Sequence, residues 1–194
     1  GPVKTQLARD NTGWVHIKGL KSNTKYYYEL GIQGSRGRSG RKGSFRTLPD
    51  SRNYVDPKLN PRGLFNFKFE FACGNNQNPK HSSGPTLPTF RTMLREIADD
   101  INFAILNGDW LYEVRRGYTP EQWLNQVNVP KNKLPDLVKV APTITGVWEN
   151  YKFFMDQGMP LQQWHRNMPS FFTYDDHECL NDIWGAGTPG LRDR

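Results

Sequence analysis

The chain has 194 residues, of which 36% are hydrophobic and 13% aromatic, and this composition favours a folded protein over a disordered one. Its 26 Lys and Arg residues against 19 Asp and Glu give a net charge of +7, which favours anionic partners such as phosphate esters or nucleic acid. No apolar run approaches the roughly 20 residues that are needed to cross a bilayer. Two cysteines are too few for a disulfide framework.

Residues 1–48 have the pattern of short strands. Residues 14–18 and 26–30 alternate apolar and polar side chains, and residues 43–47 form a third candidate strand. Because three strands cannot close a sandwich, we interpret this segment as the later part of a β-sandwich. Residues 49–64 are polar and punctuated by proline, which predicts a linker.

From residue 65 onwards, predicted strands alternate with predicted helices. Phenylalanine at every second position of 65–71 predicts a strand, and apolar residues at helical spacing in 87–99 predict a helix. Residues 101–106 are almost wholly apolar, which is typical of a strand buried on both faces. This order predicts a βαβ unit, and hence an α/β fold with a parallel sheet covered by helices. Further helices are predicted at 120–127, 147–157 and 160–167, and a third strand at 170–174.

Residues that can bind metal ions follow each of the three predicted strands of this sheet. They are Cys73 after the first strand, Asp109 and Tyr112 after the second, and Asp175, Asp176 and His177 after the third. Because the carboxyl ends of parallel strands meet at one edge of a sheet, we expect these side chains to share one crevice. Such groups would repel one another or stay protonated without a cation between them. The pattern therefore predicts a metal cluster.

Each of these residues also has an ordinary structural explanation. A Gly-Asp pair such as 108–109 commonly forms a turn with a helix cap, Tyr112 suits half-buried packing, and Cys73 suits a small core residue. The four ionisable side chains at 175–178 are costly to bury without a function. The two acidic strand ends together therefore favour metal binding. By contrast, His165 is expected to lie on the surface of its helix.

The motifs at these strand ends resemble those of the PhoD-type alkaline phosphatase and phosphodiesterase family, which is related to the purple acid phosphatases. The matching motifs are Phe-Glu-Phe-Ala-Cys-Gly at 69–74, Gly-Asp-Trp-Leu-Tyr-Glu at 108–113 and Asp-Asp-His-Glu at 175–178. The resemblance implies that residues 65–194 are the N-terminal half of a metallophosphatase-like catalytic domain. It also implies that residues 1–48 are part of an immunoglobulin- or fibronectin-like domain.

The resemblance further implies a site with two metal ions, Fe³⁺ and Ca²⁺. The ligands of the ferric ion would be Cys73, Asp109 and Tyr112, the last of them as a phenolate. Asp109 would bridge to the calcium-type site, which the pair Asp175 and Asp176 would complete. Asp182 is a further candidate ligand at the calcium-type site, where the family has an asparagine. A carboxylate there suits a hard cation, so other divalent metals remain possible.

Hydrolysis of phosphate mono- or diesters is the activity that the resemblance implies. Paired metal ions would clamp the phosphate oxygens and generate a hydroxide for in-line attack. Asp176 and His177 are the catalytic candidates, and His177 would stabilise the leaving oxygen or bind phosphate. The candidates for substrate binding are Asn75, Arg115 and Arg116, because an arginine just beyond a ligand loop can meet a phosphate group.

Two expectations concern the whole protein from which such a piece would come. Family members take further ligands from the second half of the catalytic domain, so a chain that ends at Arg194 is expected to hold only part of the cluster and to be inactive alone. Relatives are commonly secreted or periplasmic, so export is expected, although no signal segment is visible in this chain.

Two other classes of function remain open. The chain also fits a non-catalytic binding module that carries a degenerate phosphatase domain. The basic residues Arg36, Arg38, Arg41 and Lys42 of a Gly-rich loop fit a nucleic-acid binder, although no interleaved aromatic residues indicate base stacking. Bound iron with a tyrosinate colour would favour the enzyme, and salt-dependent DNA binding without hydrolysis would favour the nucleic-acid binder.

Overall fold

A computed structural model describes most of the chain. The described residues are 2–31, 41–52, 55–59, 61–63, 65–77, 80, 84, 86–110, 112–113 and 115–178. Their strands and helices are β1 (Lys25–Leu30), β2 (Arg41–Arg46), β3 (Phe69–Ala72), α1 (Thr89–Glu96), β4 (Phe103–Asn107), α2 (Pro120–Gln126), α3 (Asp136–Val140), α4 (Ile144–Gln157), α5 (Met159–Asn167) and β5 (Ser170–Thr173), with 3-10 turns at Leu7–Arg9 and Lys131–Lys133. Within these ranges, no helix combines the length and apolar character that a membrane span requires.

The strands β3, β4 and β5 form a three-stranded parallel sheet in that order. Ala72 pairs with Leu106, and Leu106 pairs with Phe172 on its other side. Helix α1 connects β3 to β4, as the βαβ prediction requires. The protein therefore has the predicted mixed α/β character. Because all three strands run in one direction, their carboxyl ends lie at the same edge of the sheet.

One face of this sheet packs against helices α1 and α5. Ala104 and Leu106 of β4 are buried there with Phe90 of α1 and with Leu161 and Trp164 of α5. Fully burying a large apolar side chain contributes about 1.5–3 kcal/mol, so this cluster is a main source of stability for the sheet. A second cluster forms around Trp123, Leu124 and Val138 of α2 and α3.

The opposite face of the sheet carries phenylalanine side chains. Phe71 is 60% exposed and Phe171 is 58% exposed, and the rings of Phe69 and Phe103 stack at 5.5 Å between centroids. The prediction that β4 is buried on both faces is therefore wrong for the described residues, because α1 and α5 both pack on the other face. Phe103 and Ile105 are only half-buried.

The first strand of this sheet is shorter than predicted. It starts at Phe69 rather than Phe65, and Phe65 forms an isolated bridge with Val55 instead. Before β3, the backbone N–H of Lys68 donates to the side-chain oxygen of Asn102 at 3.0 Å, and Lys68 accepts from the backbone N–H of Asn102 at 2.8 Å. An asparagine side chain thus takes the place of a strand partner where the ladder begins.

The segment before residue 49 contains one antiparallel pair of strands among its described residues. Strands β1 and β2 pair with Tyr26 opposite Phe45, and these two rings stack at 5.7 Å. Residues 14–18 are not a strand, and Trp14 is 74% exposed. Their alternating pattern lacks a hydrogen-bonding partner strand in the described part of the chain, which is why the strand prediction was wrong. The β-sandwich and the domain boundaries stay predictions.

The β1–β2 hairpin packs against helix α5. The hydroxyl of Tyr28 donates to the carbonyl of Arg166 at 3.1 Å, and the hydroxyl of Ser44 lies 3.1 Å from the side-chain oxygen of Asn167. Gly43 sits at the contact, where an added Cβ would lie 2.3 Å from the carbonyl oxygen of Arg166. The hairpin is therefore in direct contact with the helix that covers the parallel sheet.

Candidate metal centre

The turn that follows β4 brings two strand ends together. Gly108 and Asp109 both have left-handed backbones, with φ of 75° and 52°. A Cβ on Gly108 would lie only 2.6 Å from the Cβ of Asp175, so glycine is needed both for its conformation and for the close approach of the β5 end. Aspartate tolerates the left-handed region better than most residues. The turn therefore presents the Asp109 carboxylate towards the β5 end.

Three side chains at this edge form a group that can hold a metal ion. Asp109, Asp176 and His177 each offer one ligand atom, and these atoms all lie within 4.8 Å of one another. All three residues are half-buried. The group combines two carboxylates with an imidazole from the ends of two neighbouring strands. This donor set suits divalent cations.

The Asp109 carboxylate has the environment expected of a metal ligand. Its Oδ1 atom is buried and has no hydrogen-bond partner among the described residues. Burial raises the pKa of Asp109, and the charges of Asp176 and Asp175 raise it further, although His177 and the hydrogen bond from Tyr112 partly oppose them. A cation would satisfy the unpaired oxygen and relieve the repulsion between the carboxylates. The residues present therefore fit a metal ion.

Tyr112 adjoins the cluster as a hydrogen-bond donor. Its hydroxyl lies 3.3 Å from Oδ2 of Asp109, and its ring packs on the ring of His177 with 4.1 Å between centroids. Burial, together with the charge and hydrogen bond of Asp109, raises the pKa of Tyr112 to about 12. The phenol therefore stays protonated at neutral pH without a metal, and binding as a phenolate would release a proton.

The imidazole of His177 is held by Glu113. Its Nδ1 atom lies 2.9 Å from Oε2 of Glu113, and the guanidinium of Arg116 donates to its backbone carbonyl. Burial lowers the pKa of His177, but the hydrogen bond and charge of Glu113 and the nearby Asp109 and Asp176 raise it, and the net shift is upward. A carboxylate on one ring nitrogen orients the imidazole and strengthens it as a ligand.

Two other predicted ligands, Cys73 and Asp175, lie near this cluster but outside it. Cys73 is exposed, although the next two residues attach the β3 end to the β4 turn through the bonds Gly74 N–H to Gly108 carbonyl, 3.5 Å, and Asn75 N–H to Asp109 carbonyl, 2.8 Å. Asp175 is exposed, and its Oδ1 accepts from the backbone of Asp176 at 3.0 Å. Asp182 lies outside the described residues. The ligand roles of these three residues stay predictions.

The predicted substrate-binding residues surround the same edge. The side-chain nitrogen of Asn75 is buried, with no hydrogen-bond partner in the described part of the chain. Arg116 reaches the backbone of His177, whereas the guanidinium of Arg115 stacks on the ring of Phe153 at 4.9 Å. Arg116 thus contacts a residue of the cluster, whereas the guanidinium of Arg115 is held by a residue outside it. No observation tests their predicted contact with substrate.

No supporting role was predicted from the sequence for three residues that hold the site together. Glu113 and Glu178 were part of the matched motifs, but no role was assigned to them. Asn150 of α4 is fully buried; its amide donates to the carbonyl of Tyr112 at 2.6 Å, and its oxygen accepts from the backbone of Arg115 at 3.0 Å. An asparagine on the inner face of α4, between the buried residues Gly146 and Phe154, was the available signal.

The loop that carries Arg116 also packs tightly against Gly146 of α4. A Cβ on Gly146 would lie 2.0 Å from the carbonyl oxygen of Arg116. Inside a helix, alanine normally stabilises the folded state by about 1 kcal/mol relative to glycine. Overpacking, however, destabilises it by about 1–3 kcal/mol. Here the obstructing atom belongs to the backbone, which cannot turn aside as a side chain can. We therefore expect Gly146→Ala to lower the free energy of unfolding by about 1–2 kcal/mol, measured by urea denaturation.

Gly117 provides the matched control for this substitution. It lies in the same loop, but an added Cβ there would meet nothing within 4 Å, and its backbone is not left-handed. Gly117→Ala should therefore change stability by no more than about 0.5 kcal/mol. Equal effects of the two substitutions would contradict the close packing of the loop on α4.

The fold and the cluster define an α/β protein whose candidate metal centre lies at the carboxyl edge of a parallel sheet, where hydrolytic enzymes often place their sites. The family model of the PhoD-like phosphatases matches residues 67–193. The chain belongs to this family, which confirms the resemblance found in its motifs. A search of curated proteins found no significant match.

Proposed function

We propose that the protein hydrolyses phosphate mono- or diesters at the cluster formed by Asp109, Asp176 and His177. Membership of the PhoD-like phosphatase family indicates a hydrolase that acts on phosphate esters. The observation that carries the proposal is the convergence of three ligand atoms within 4.8 Å of one another. The buried Oδ1 atom of Asp109, which has no hydrogen-bond partner among the described residues, supports a cation at this position.

In this proposal, Asp109, Asp176 and His177 hold a metal ion, and Tyr112 joins them when it loses its proton. The carboxylates suit Ca²⁺, and the family resemblance supports Fe³⁺ at the phenolate. When bound, such ions neutralise the phosphate oxygens and promote the ionisation of an attacking water molecule. Fe³⁺ and Ca²⁺ are thus the two proposed ions, and phosphate mono- and diesters are the two proposed classes of substrate.

The surrounding residues orient the groups that meet the substrate. Glu113 holds the imidazole of His177 in one orientation, so that the ring binds a cation or donates to the leaving oxygen. Arg116 lies beside His177 and adds positive charge where a phosphate group would bind. The side chain of Asn150 stabilises the loop that carries Arg116 through its hydrogen bonds to the backbone of Tyr112 and Arg115.

Metal uptake by the metal-free chain tests this proposal directly. We expect titration calorimetry with Ca²⁺, Mn²⁺ and Fe³⁺ to show at least one bound equivalent, and Asp176→Asn to weaken the binding. Bound Fe³⁺ should give a tyrosinate colour that is absent in Tyr112→Phe. Release of p-nitrophenol from its phosphate mono- and diesters, lost with a chelator and restored by metal, would support the activity. If the chain takes up none of the three ions, the proposed function is wrong.

The alternative of a basic-loop nucleic-acid binder gains no support from Arg41 and Lys42, the two of its four basic residues that the structure describes, which lie in strand β2. Arg41 contacts the side-chain oxygen of Gln162 at 3.3 Å, and Lys42 pairs with Glu29 at 3.7 Å. Arg36 and Arg38 lie outside the described residues.

The alternative of a degenerate, non-catalytic module is decided by the metal-uptake experiment. Export of the protein stays a prediction, which fractionation of the source cells would test.

A further inference from the structure

The carboxylate of Glu178 lies between the turn after β4 and the turn after β5. Its Oε2 atom accepts from the backbone N–H groups of Asp109 at 3.1 Å and Asp175 at 2.7 Å. Its Oε1 atom accepts from the backbone N–H of Trp110. One carboxylate thus binds three backbone donors that belong to two different strand ends.

The backbone of the β4 turn explains why an anion binds there. Gly108 and Asp109 are both left-handed, and consecutive N–H groups in such turns form a concave site for anions. Among the described residues, these N–H groups have no strand partner, and buried backbone donors need an acceptor. A carboxylate that belongs to the chain meets this need, and hydrogen bonds to a charged acceptor are roughly twice as strong as neutral ones.

We propose that Glu178 is a positioning residue that fixes Asp109 and Asp176 in their mutual orientation. Glu178 is not a member of the three-residue cluster, and its oxygens bind backbone groups on either side of it. Asp109 is held through its own N–H, and Asp176 through the N–H of its neighbour Asp175. The proposal rests on the proposed function in one respect, since it treats Asp109 and Asp176 as the metal-binding residues.

The substitution Glu178→Gln tests this role with almost no change in side-chain size. One acceptor oxygen becomes an NH₂ group, which cannot accept from a backbone N–H. In the metal-free 194-residue chain, we expect hydrogen exchange at the amides of Asp109, Trp110 and Asp175 to accelerate by about tenfold to a hundredfold. Amides in the middle of α4 should exchange as in the wild type.

Metal affinity is the second measurement, because Glu178→Gln would not change it if Glu178 had a purely structural role. Loss of an outer residue that orients metal ligands typically weakens binding by about 10–100-fold, so we expect Mn²⁺ to bind Glu178→Gln that much more weakly than the wild type. Glu96→Gln is the matched control, because Glu96 is exposed and pairs with Arg95 on α1. It should change neither the exchange of the three amides nor the affinity for Mn²⁺.

The outcomes separate this proposal from the proposed function. Fast exchange of the three amides in the wild type would overturn the positioning role, whether or not the variant folds. Unchanged Mn²⁺ affinity in a folded Glu178→Gln variant would overturn it as well. If the wild type takes up no Mn²⁺, the proposed metal site fails, and the exchange rates alone decide whether Glu178 holds the two turns. If Glu178→Gln does not fold, Glu178→Asp, which keeps the charge, replaces it.

Discussion

Replacing Asp109 by asparagine should weaken metal binding, and any hydrolysis that the wild-type protein performs, by at least ~100-fold, since even the loss of an outer residue costs about 10–100-fold. The same substitution should leave the metal-free chain at least as stable as the wild type. Burial raises the pKa of Asp109, which means that folding disfavours its charged form at neutral pH. Asparagine removes that charge, tolerates the left-handed backbone of this position, and can still accept the hydrogen bond from Tyr112.

Opposite effects on function and stability distinguish a binding role of Asp109 from a structural one. The measurements are Mn²⁺ affinity, the rate of phosphoester hydrolysis and the thermal midpoint of the metal-free protein. Asp99→Asn is the matched control, because Asp99 is almost fully exposed and pairs with Lys25 at 3.7 Å. It should leave all three quantities unchanged. A clear loss of stability in Asp109→Asn without a loss of metal affinity would contradict the assignment.

The sheet was largely predictable because its strands are short apolar runs that end in Gly- or Asp-containing turns. The apolar stretch 101–106 and the later stretch 170–174 correspond to β4 and β5. The sequence did not predict which face of β4 and β5 the helices cover, because both faces of a parallel strand carry apolar side chains. Alternation alone also suggested a strand at residues 14–18, but alternation without a partner strand does not form a ladder.

The candidate site was predictable in its central residues and not in their supports. Asp109, Asp176 and His177 belong to motifs at strand ends, and the topology of a parallel sheet brings such ends together. Glu178 and Asn150 act through hydrogen bonds to backbone groups 69 and 38 residues away. Contacts over such distances depend on the tertiary fold, so the sequence did not indicate which backbone groups these two side chains bind.

His165 is less exposed than its position in the helix predicted. It was expected at the surface, but its ring packs against Trp110 at 5.1 Å and against Phe172 at 5.5 Å between centroids. Its Nε2 atom is buried without a hydrogen-bond partner among the described residues. Burial lowers the pKa of His165 from 6.5 to about 4, because the apolar surroundings disfavour the charged imidazolium.

This half-buried histidine should make the stability of the protein depend on pH. Between pH 6.5 and about 4, the unfolded chain binds a proton at His165 that the folded chain does not, so stability falls as the pH falls through this window. Each pKa unit corresponds to about 1.4 kcal/mol, so the loss at pH 4 should reach about 3 kcal/mol. Below pH 4, both states are protonated and the contribution of His165 stays constant.

The contribution of His165 can be isolated by comparing unfolding free energies of the wild type, His165→Phe and His165→Leu between pH 4 and 7.5. Other groups titrate in all three proteins, so the difference between wild type and variant reports on His165 alone. We expect this difference to change by about 3 kcal/mol across the window, in the direction that makes the wild type relatively weaker at low pH. His16→Gln, at an exposed position, should follow the wild-type curve. A difference that stays constant with pH would show that the imidazole is not held neutral between Trp110 and Phe172.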